Sequence, residues 1–520
     1  MESTVWLASR SLPRPGVGCC NLLSRVRRSG GRLKPCGNGR KVVVCVSGTE
    51  GKTKVVIVGG GVGGLAVGGR LAKEGYDVHI LEKNSHVGGR LQSLEVEAAV
   101  GVGGKSDDPG GQECFRFDTG PSLLLLPQKY RDAFTAMGED MDDYVTLKKV
   151  EPAAYRVFFG EDEGVQSLDL LYDVQKMCLQ LEQVEEGAGG AFLRFLANAK
   201  EALDKDLYVG LTPYNAPGVF SLLAATELTD GVWYPVGGFA KVRDGLAQAA
   251  QKVGATITTK ATVKRIDHAN GQVQGVTLED GTFMRANIVV ANADLPYVYN
   301  SLLGSKVKTQ ASKLLSSKYS ASVIAFQWAL SSRLERLSHH NVFLSNCYEE
   351  SWHRATDAST ILERPNFYVH APSRTDSTVC PLGTDAITVL LPVAHLGEGF
   401  SIGSASDDKQ IVEAARERVI SSLVRSGIGD ISSMILSEVV YSPPTWQDSY
   451  NLQYGAAFGL AHNLLQLAYF RPDVAEPSIK GLYFAGASTR PGNGVPLVLM
   501  GAKVTTNRIL EENYPFLSGN

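Results

Sequence analysis

The segment KVVIVGGGVGGLAVGGRLAKEGYDVHILEKNSHVGGR, residues 54–90, decides the fold of the first part of this 520-residue chain. Its apolar run at residues 55–58 predicts a buried strand, and Gly59, Gly61 and Gly64 follow in G-x-G-x-x-G spacing. A helix at residues 65–74 and a second strand at residues 77–81 come next, and Glu82 closes the unit. Together these features predict a dinucleotide site rather than a glycine-rich packing turn.

Each part of this unit has its own structural or binding role at a dinucleotide site. Gly59 permits the tight turn, Gly61 lets the backbone approach a pyrophosphate, and Gly64 lets the helix pack on the strand. The helix N-terminus presents N–H groups and the positive end of its dipole to the phosphates. Glu82 is placed to accept hydrogen bonds from a ribose hydroxyl.

The extension Val87-Gly88-Gly89-Arg90 helps to decide which dinucleotide binds. Together with the sequence FDTGPS at residues 117–122, it resembles FAD-binding oxidoreductases of the amine-oxidase and phytoene-desaturase superfamily. In that superfamily the second glycine pair and the arginine bring the chain back to the cofactor, and the later turn lies near the flavin. The resemblance therefore implies FAD. The alternative is a Gly-Gly loop with a solvated arginine.

The C-terminal block carries a second glycine-rich turn. Residues 481–485 predict a strand, GASTRPGNGVP follows at residues 486–496, and a helix is expected at residues 497–510. Its N-terminus would direct N–H groups at an anionic group, for which we expect the pyrimidine end of a flavin, since the first site takes the pyrophosphate. An ordinary strand-loop-helix closure is the alternative.

The chain between these motifs predicts an α/β protein, in which a Rossmann-like FAD-binding domain with a β-meander packs on an α+β substrate domain. The pattern is helical at residues 123–150 and at residues 173–205, with a break at residues 185–190. Three meander strands are expected at residues 256–266, 273–278 and 286–291, separated by turns at Asn270-Gly271 and Asp280-Gly281.

The later middle block alternates predicted strands with one helix. The strands are expected at residues 322–330, 366–371 and 386–393, and the helix at residues 408–426. We expect an FAD-binding domain of residues 53–135, 235–300 and 441–520, and a substrate and membrane-facing domain of residues 136–234 and 301–440.

Residues 1–52 predict a targeting segment. Basic residues are frequent, Glu2 and Glu50 are the only acids, and Ser, Gly and Pro fill much of the rest. This composition is typical of an organellar transit peptide, and no apolar run suits a secretory core or a membrane span. The sequence around Cys45 resembles a plastid processing site, so we expect a plastid location. A mitochondrial address and an unprocessed basic tail are the alternatives.

The composition and spacing of the residues argue against several other classes of protein. The net charge is −3 and forms no basic stripe, so nucleic-acid binding is not indicated. No apolar segment reaches the length of a membrane-spanning helix. Beyond residue 52 the cysteines lack C-x-x-C spacing, so we expect free thiols without a zinc site or a disulfide scaffold.

Four further segments make the resemblance specific. They are GVWYPVGG (residues 231–238), YVHAPSRTD (368–376), LPVAHLG (391–397) and YFAGASTRPG (483–492). They resemble bacterial-type phytoene desaturases and their carotenoid isomerase relatives. The resemblance implies a peripheral membrane oxidoreductase that uses FAD on a long apolar polyene. Carotenoid desaturation is the first expectation; cis-trans isomerisation and a flavin-binding protein without turnover are the alternatives. The oligomeric state stays open.

The cofactor residues implied by the motifs and the resemblance come from distant parts of the chain. They are Gly59, Gly61, Val62, Gly63, Gly64, Glu82, Lys83, Gly88, Gly89, Arg90, Gly120, Pro121, Val263, Gly486, Val495 and Pro496. Val263 is carried over from its position in the meander, where the family's residue meets the adenine through its backbone. No catalytic residue is assigned, because a flavin needs little from protein acids to accept hydride.

Several polar residues invite a catalytic or metal interpretation. His339, His340, His370 and His395 have no metal-motif spacing, so we expect hydrogen-bonded structural histidines and no metal. We also expect Asp118 to be structural at its turn, and Arg374 and Asp376 to form a local ion pair.

One departure from the family concerns residues 204–208. Relatives have further helices before a segment like residues 211–218, whereas here several tens of residues are absent. In the family that region helps to cover the substrate tunnel and to meet the membrane. Candidate membrane contacts in this chain are residues 192–196 and 214–223.

Overall fold

A computed structural model describes residues 52–100, 112–160, 164–202, 226–227, 229–304, 308–351, 361–397 and 405–513. The described strands are β1 (Lys54–Val58), β2 (Asp77–Leu81), β3 (Ser93–Ala99), β4 (Gln112–Asp118), β5 (Leu147–Lys149), β6 (Ala153–Phe159), β7 (Gln166–Leu171), β8 (Trp233–Pro235), β9 (Thr256–Thr258), β10 (Val263–Ala269), β11 (Gln272–Leu278), β12 (Phe283–Arg285), β13 (Ile288–Ala291), β14 (Ser322–Leu330), β15 (His340–Phe343), β16 (Phe367–His370), β17 (Asp385–Val393), β18 (Ile435–Tyr441) and β19 (Leu482–Phe484). The described α-helices are α1 (Val62–Lys73), α2 (Pro127–Thr135), α3 (Val174–Val184), α4 (Ala188–Ala202), α5 (Ala240–Lys252), α6 (Leu295–Tyr297), α7 (Lys308–Leu315), α8 (Ala405–Arg425), α9 (Pro443–Tyr450) and α10 (Val495–Asn513).

A parallel five-stranded sheet in the order β19-β13-β1-β2-β9 forms the first half of the fold. Its inner strands are apolar runs because the sheet is covered on both faces. Leu65 and Leu71 of α1 share one core with Leu499 and Ile509 of α10. The predicted Rossmann-like α/β fold class is confirmed.

The predicted β-meander is present, but two of its boundaries were wrong. The run at residues 256–266 is two strands, because Lys260 adopts a positive φ of 54° that interrupts the extended backbone. Of these two strands, β9 joins the parallel sheet and β10 joins the meander β10-β11-β12. The run at residues 286–291 contributes β13, which is buried at every residue and therefore suits the interior of the parallel sheet.

A seven-stranded sheet in the order β18-β14-β17-β16-β15-β6-β7 forms the second half. Its pairings are antiparallel except for β15 with β6. Every residue of β14 is buried, and α8 packs its apolar side chains into the same core. The strands and the helix predicted in the later middle block are all present.

The helical pattern at residues 123–150 is only partly a helix. It gives α2, a 3-10 turn at Met141–Asp143 and β5, which pairs with β8. The interrupted pattern at residues 173–205 gives α3 and α4, as predicted. Asp173 caps α3 by accepting a hydrogen bond from the Lys176 N–H at 3.0 Å.

The domain boundaries stay a prediction. The five-stranded sheet takes its strands from residues 54–81, 256–291 and 482–484, and the seven-stranded sheet from residues 153–171 and 322–441. Within the described part of the chain, every helix is too short or too polar to cross a membrane.

Candidate cofactor and substrate site

A cavity of about 340 Å³ opens at the carboxyl ends of the parallel strands. Its walls include the residues that directly follow β1, β2 and β13, the usual place for a ligand in an open α/β sheet. It continues to Val323 of β14, Leu390 of β17 and Trp446 of α9. One cavity therefore joins the glycine-rich turn to the apolar face of the seven-stranded sheet.

Most of the predicted cofactor residues line this cavity. They are Gly59, Gly61, Val62, Gly63, Glu82, Lys83, Gly88, Gly89, Arg90, Gly120, Pro121, Val263, Gly486 and Val495. Gly64 and Pro496 are buried and do not belong to the described lining. A Cβ on Gly64 would lie 2.2 Å from the carbonyl oxygen of Gly59, so Gly64 lets the helix approach the turn.

The turn before α1 is closely packed against Asn292. The Asn292 Nδ2 group donates to the carbonyl oxygen of Gly59 at 3.2 Å. A Cβ on Gly61 would lie 2.9 Å from Nδ2 of Asn292, and one on Gly63 would lie 2.5 Å from its Oδ1. Gly61 is the N-cap of α1 and has no side chain, so the first N–H groups of the helix stay open to a ligand.

The N-terminus of α10 meets the same cavity. Gly494 and Val495 line it, and the Val498 N–H donates to the carbonyl oxygen of Gly494 at 2.9 Å. The first turns of α1 and α10, both within the described residues, contain no acidic side chain. Two positive helix ends therefore meet at one cavity, which suits a ligand with anionic groups at two places.

Glu82 and Lys83 occupy the end of β2. Glu82 is buried, and its two carboxylate oxygens accept hydrogen bonds from the N–H groups of Gly60 and Asn84, each at 2.9 Å. The acid is thereby fixed against the glycine turn, where a ribose is expected. Lys83 Nζ donates to Oδ1 of Asn451 at 2.9 Å.

Arg90 and Asp294 are charged residues in the wall of the cavity. Burial lowers the pKa of Arg90, and the nearby Asp294 opposes that shift. Nη1 of Arg90 donates to the carbonyl oxygen of Ala457 at 2.6 Å, and Asp294 accepts from the hydroxyl of Ser488 in the C-terminal turn. Arg90 thus joins the first glycine motif to the chain that follows α9.

Asn292, Asp294 and Arg471 are site residues that were not predicted from the sequence. Asn292 and Asp294 follow β13 in the sequence ANAD, and the rule that ligands bind at the carboxyl ends of parallel strands would have identified them. Arg471 is 1% exposed and donates to the carbonyl oxygen of Ala487 at 2.6 and 3.0 Å, which holds the C-terminal turn in place. No local motif marks this residue, since its partners are backbone atoms.

Comparisons with known proteins agree with this geometry. The NAD(P)-binding Rossmann-like domain family matches residues 57–139, and the flavin containing amine oxidoreductase family matches residues 178–509. The chain is 34% identical to a phytoene desaturase of Fusarium fujikuroi over 537 positions, which cover 89% of this chain and 90% of that protein. The chain belongs to the phytoene desaturase family of the flavin-containing amine oxidoreductases. Within that alignment, several tens of positions have no counterpart in this desaturase-family chain.

Two further similarities extend the comparison. The chain is 32% identical to a zeta-carotene-forming phytoene desaturase of Myxococcus xanthus, over 89% of this chain and 94% of that protein. An oxidoreductase structure from Methanosarcina mazei matches with a TM-score of 0.56 at 17% identity, over 88% of this chain and 100% of that one. The second match supports the fold alone.

The cofactor of this phytoene desaturase family member is FAD. The cavity fits the group, because a Cβ at Gly61 or Gly63 would fill the turn and the first turn of each described helix contains no acidic residue. The first turn of α1 would hold the pyrophosphate, Glu82 the ribose, and the N-terminus of α10 the flavin ring.

The other polar residues lie outside the cavity lining. Asp118 is buried and accepts hydrogen bonds from the Tyr234 hydroxyl at 2.7 Å and from the Phe239 N–H at 2.8 Å, as its predicted structural role requires. Burial raises the pKa of Asp118, and these hydrogen bonds oppose the shift.

The predicted ion pair between Arg374 and Asp376 was wrong. Arg374 pairs with Asp385 through Nη1 and Oδ2 at 2.6 Å, and Asp376 pairs with Arg116 at 3.0 Å. Both partners are distant in sequence or belong to another element, Arg116 on β4 and Asp385 at the start of β17, and the local sequence does not reveal them. Residues 204–208 and 214–223 lie outside the described residues.

Proposed function

We propose that this protein is an enzyme of carotenoid biosynthesis, an FAD-dependent oxidoreductase that desaturates a long carotenoid-like polyene. The observation that carries the proposal is the continuity of the cavity from the two helix N-termini to Val323, Leu390 and Trp446. Such a cavity places one end of a dinucleotide beside an apolar channel. The relatives named phytoene desaturase support the same substrate class.

Some residues of this chain would hold the cofactor, and others would bury the substrate. When bound, FAD supplies the acceptor for the hydride that leaves the polyene. The apolar walls at Leu390 and Trp446 stabilise a polyene by burial, at about 25 cal/mol per Å², and exclude water from the reacting carbon. Arg90 and Asp294 are each hydrogen-bonded within the protein, to Ala457 and to Ser488 respectively.

Anaerobic incubation of the purified holoprotein with linear carotenes tests the reaction. A desaturase bleaches the oxidised flavin in proportion to the double bonds formed. An isomerase converts its substrate only when the flavin has first been reduced, and leaves the flavin unchanged. A protein that holds flavin but does neither would support the third alternative, a flavin-binding protein whose shortened region prevents turnover.

A pair of leucine variants tests the apolar channel. Leu390→Arg puts a charge into the cavity wall and should reduce turnover by more than about 100-fold, because burying an unpaired charge is costly. Leu382→Arg is the matched control, since Leu382 is fully exposed on the same part of the chain. Both variants should retain flavin. Normal turnover by Leu390→Arg would contradict the proposed channel.

We propose that the protein takes its substrate from a membrane surface. Two groups of exposed apolar side chains support this. Leu193, within the predicted segment of residues 192–196, is 50% exposed. Leu465, Tyr469 and Phe470 are 62–76% exposed and lie in the chain between the cavity residue Phe458 and Arg471. Exposed apolar patches of this kind are typical of interaction surfaces.

Flotation with liposomes tests this docking. Wild-type protein should float, and added salt should not release it, because the contact is apolar. The double variant Leu465→Asp with Phe470→Asp should float less, and Leu193→Asp tests the other group. Leu382→Asp is the control for an added surface charge. Protein that stays free of liposomes would exclude membrane docking without affecting the desaturase proposal.

We also propose that residues 1–52 direct the chain to a plastid and that residues up to about Cys45 are removed there. The basic, acid-poor composition supports this. N-terminal sequencing of the native protein tests it. A mature protein that begins at Met1 would contradict it.

A further inference from the structure

Three buried histidines meet on the seven-stranded sheet, although their sequence spacing did not predict it. The antiparallel register of β15 and β16 places His340 directly opposite His370, and His339 immediately precedes β15. The three side chains are 0–3% exposed, and one ring nitrogen from each lies within 4.8 Å of the others. They do not belong to the described lining of the cofactor cavity.

The hydrogen bonds around His340 determine where its proton lies. Nδ1 of His340 is 2.6 Å from the hydroxyl oxygen of Tyr368, and that hydroxyl donates its proton to Oγ of Ser122 at 2.9 Å. The phenol oxygen must then accept from Nδ1–H of His340. Nε2 of His340 therefore carries a lone pair, and it is buried without a hydrogen-bond partner among the described residues.

The other two rings complete the cluster. Nδ1 of His339 is 2.6 Å from Oγ1 of Thr375, and Nε2 of His339 lies 3.0 Å from Nε2 of His370. Nδ1 of His370 is buried without a described partner. Each of the three rings is hydrogen-bonded, as expected, but one nitrogen of His340 and one of His370 have no partner among the described residues. Unpaired buried polar atoms destabilise a fold, so their presence points to a ligand.

Burial also keeps the three rings in the neutral form that binds metal ions. It lowers the pKa of His370 to about 3, and the pKa values of His339 and His340 fall well below their usual range for the same reason. The nearest charged groups are engaged elsewhere. Arg374, on the side of His339, is paired with Asp385, and Asp118 lies behind the ring of Tyr234, which contacts His339.

We propose that His339, His340 and His370 bind a divalent transition-metal ion of the zinc class. His339 and His340 would each supply Nε2, and His370 one ring nitrogen. The 3.0 Å between Nε2 of His339 and Nε2 of His370 is close to the spacing of about 3.3 Å between two nitrogen ligands of a tetrahedral zinc ion. The fourth ligand would be hydroxide or another small anion, which also reduces the buried charge.

The hydroxyl groups around the cluster match the surroundings of known metal sites. A histidine that binds metal usually donates its other N–H to an oxygen, which fixes the tautomer. The hydroxyl oxygens of Thr375 and Tyr368 lie 2.6 Å from Nδ1 of His339 and of His340, where they can accept such hydrogen bonds. Tyr368 connects the cluster through Ser122 to Pro121 in the cavity wall. The site is nevertheless independent of the redox reaction, and its test does not need turnover.

Metal binding to full-length protein without a histidine tag tests the proposal. After treatment with a chelator, the protein should take up one equivalent of Zn²⁺ per chain and melt at a higher temperature. Co²⁺ in the same site should give the absorption bands of a tetrahedral nitrogen-ligand complex. His340→Gln should weaken Zn²⁺ binding by at least about 100-fold, and Tyr368→Phe, which removes only the hydrogen-bond acceptor, by about 10-fold to 100-fold.

His395→Gln is the matched control, because His395 is also buried but lies outside the cluster. It should leave Zn²⁺ binding unchanged. Failure of the wild-type protein to bind Zn²⁺, or Zn²⁺ binding by His340→Gln as tight as that of the wild type, would overturn the proposal. If His340→Gln does not fold, the Co²⁺ spectrum and the Tyr368→Phe variant decide the result.

Discussion

The cofactor cavity and the histidine cluster are built in opposite ways. The cavity is made by short motifs, each contiguous in sequence, that end at the same edge of a parallel sheet. The cluster is made by the register between two antiparallel strands, which brings His340 opposite His370 across 30 positions of sequence. A site made of backbone turns can therefore be predicted from local sequence, whereas a site made of paired side chains requires the strand register.

The largest effect, on flavin binding, is expected at the glycine turn. Because this part of the site is made by one local motif, one local change should destroy it. Gly61 has a φ of −68°, so alanine is compatible with the backbone, but its Cβ would enter the cavity 2.9 Å from Nδ2 of Asn292. Gly61→Ala should fold and lose its flavin on purification. Gly190→Ala on α4, where a Cβ meets only a side-chain end at 3.6 Å, is the control.

Absorbance of the purified proteins measures this outcome. Gly190→Ala should be as yellow as the wild type. Retention of stoichiometric flavin by Gly61→Ala would show that the first turn does not approach the cofactor. The cavity would then not depend on this local motif.

The second largest effect, on the free energy of unfolding, is expected at Asp118, which lies between the cofactor cavity and the histidine cluster. Asp118→Ala leaves the Tyr234 hydroxyl and the Phe239 N–H without their acceptor in the core, and we expect a loss of about 3 kcal/mol in the free energy of unfolding. Asp142→Ala is the control, because its ion pair with Arg131 is exposed and contributes less than about 1 kcal/mol. Urea unfolding measures both, and equal small losses would mean that Asp118 is dispensable.

The smallest effect concerns the pH dependence of Glu227, whose partner Tyr155 packs beside His340. Partial burial raises the pKa of Glu227 to about 7, and the hydrogen bond from Tyr155 opposes the shift. The folded state therefore holds the proton more tightly than the unfolded state. Stability from this group is present below about pH 4.5 and is lost as the pH rises through about 7.

Urea unfolding at several pH values checks this sign. Glu227→Gln stays neutral, so its free energy of unfolding should fall less between about pH 4.5 and about pH 8 than that of the wild type. Parallel curves for the two proteins would show that the carboxyl titrates normally in the folded state.

Much of the cofactor half could be predicted, because β1, α1 and β2 follow from apolar runs and glycine spacing alone. The errors arose where distant residues decide the structure. A positive φ at Lys260 divided one predicted strand, so that β9 joins the parallel sheet and β10 joins the meander. Arg374 lies in a 3-10 turn and pairs with Asp385, the first residue of β17. Such pairings depend on tertiary packing, which one sequence does not encode locally.

The late position of β19 in the sequence has a consequence for the folding of the chain while the ribosome synthesises it. Strand β13 is flanked by β1 and β19, and β19 lies near residue 482, almost two hundred residues after β13. At roughly 5–20 residues per second, a ribosome would leave the apolar edge of β13 unpaired for on the order of ten seconds or longer. The nascent chain would need protection by chaperones during that interval, and it could load its flavin only after the C-terminal turn has emerged.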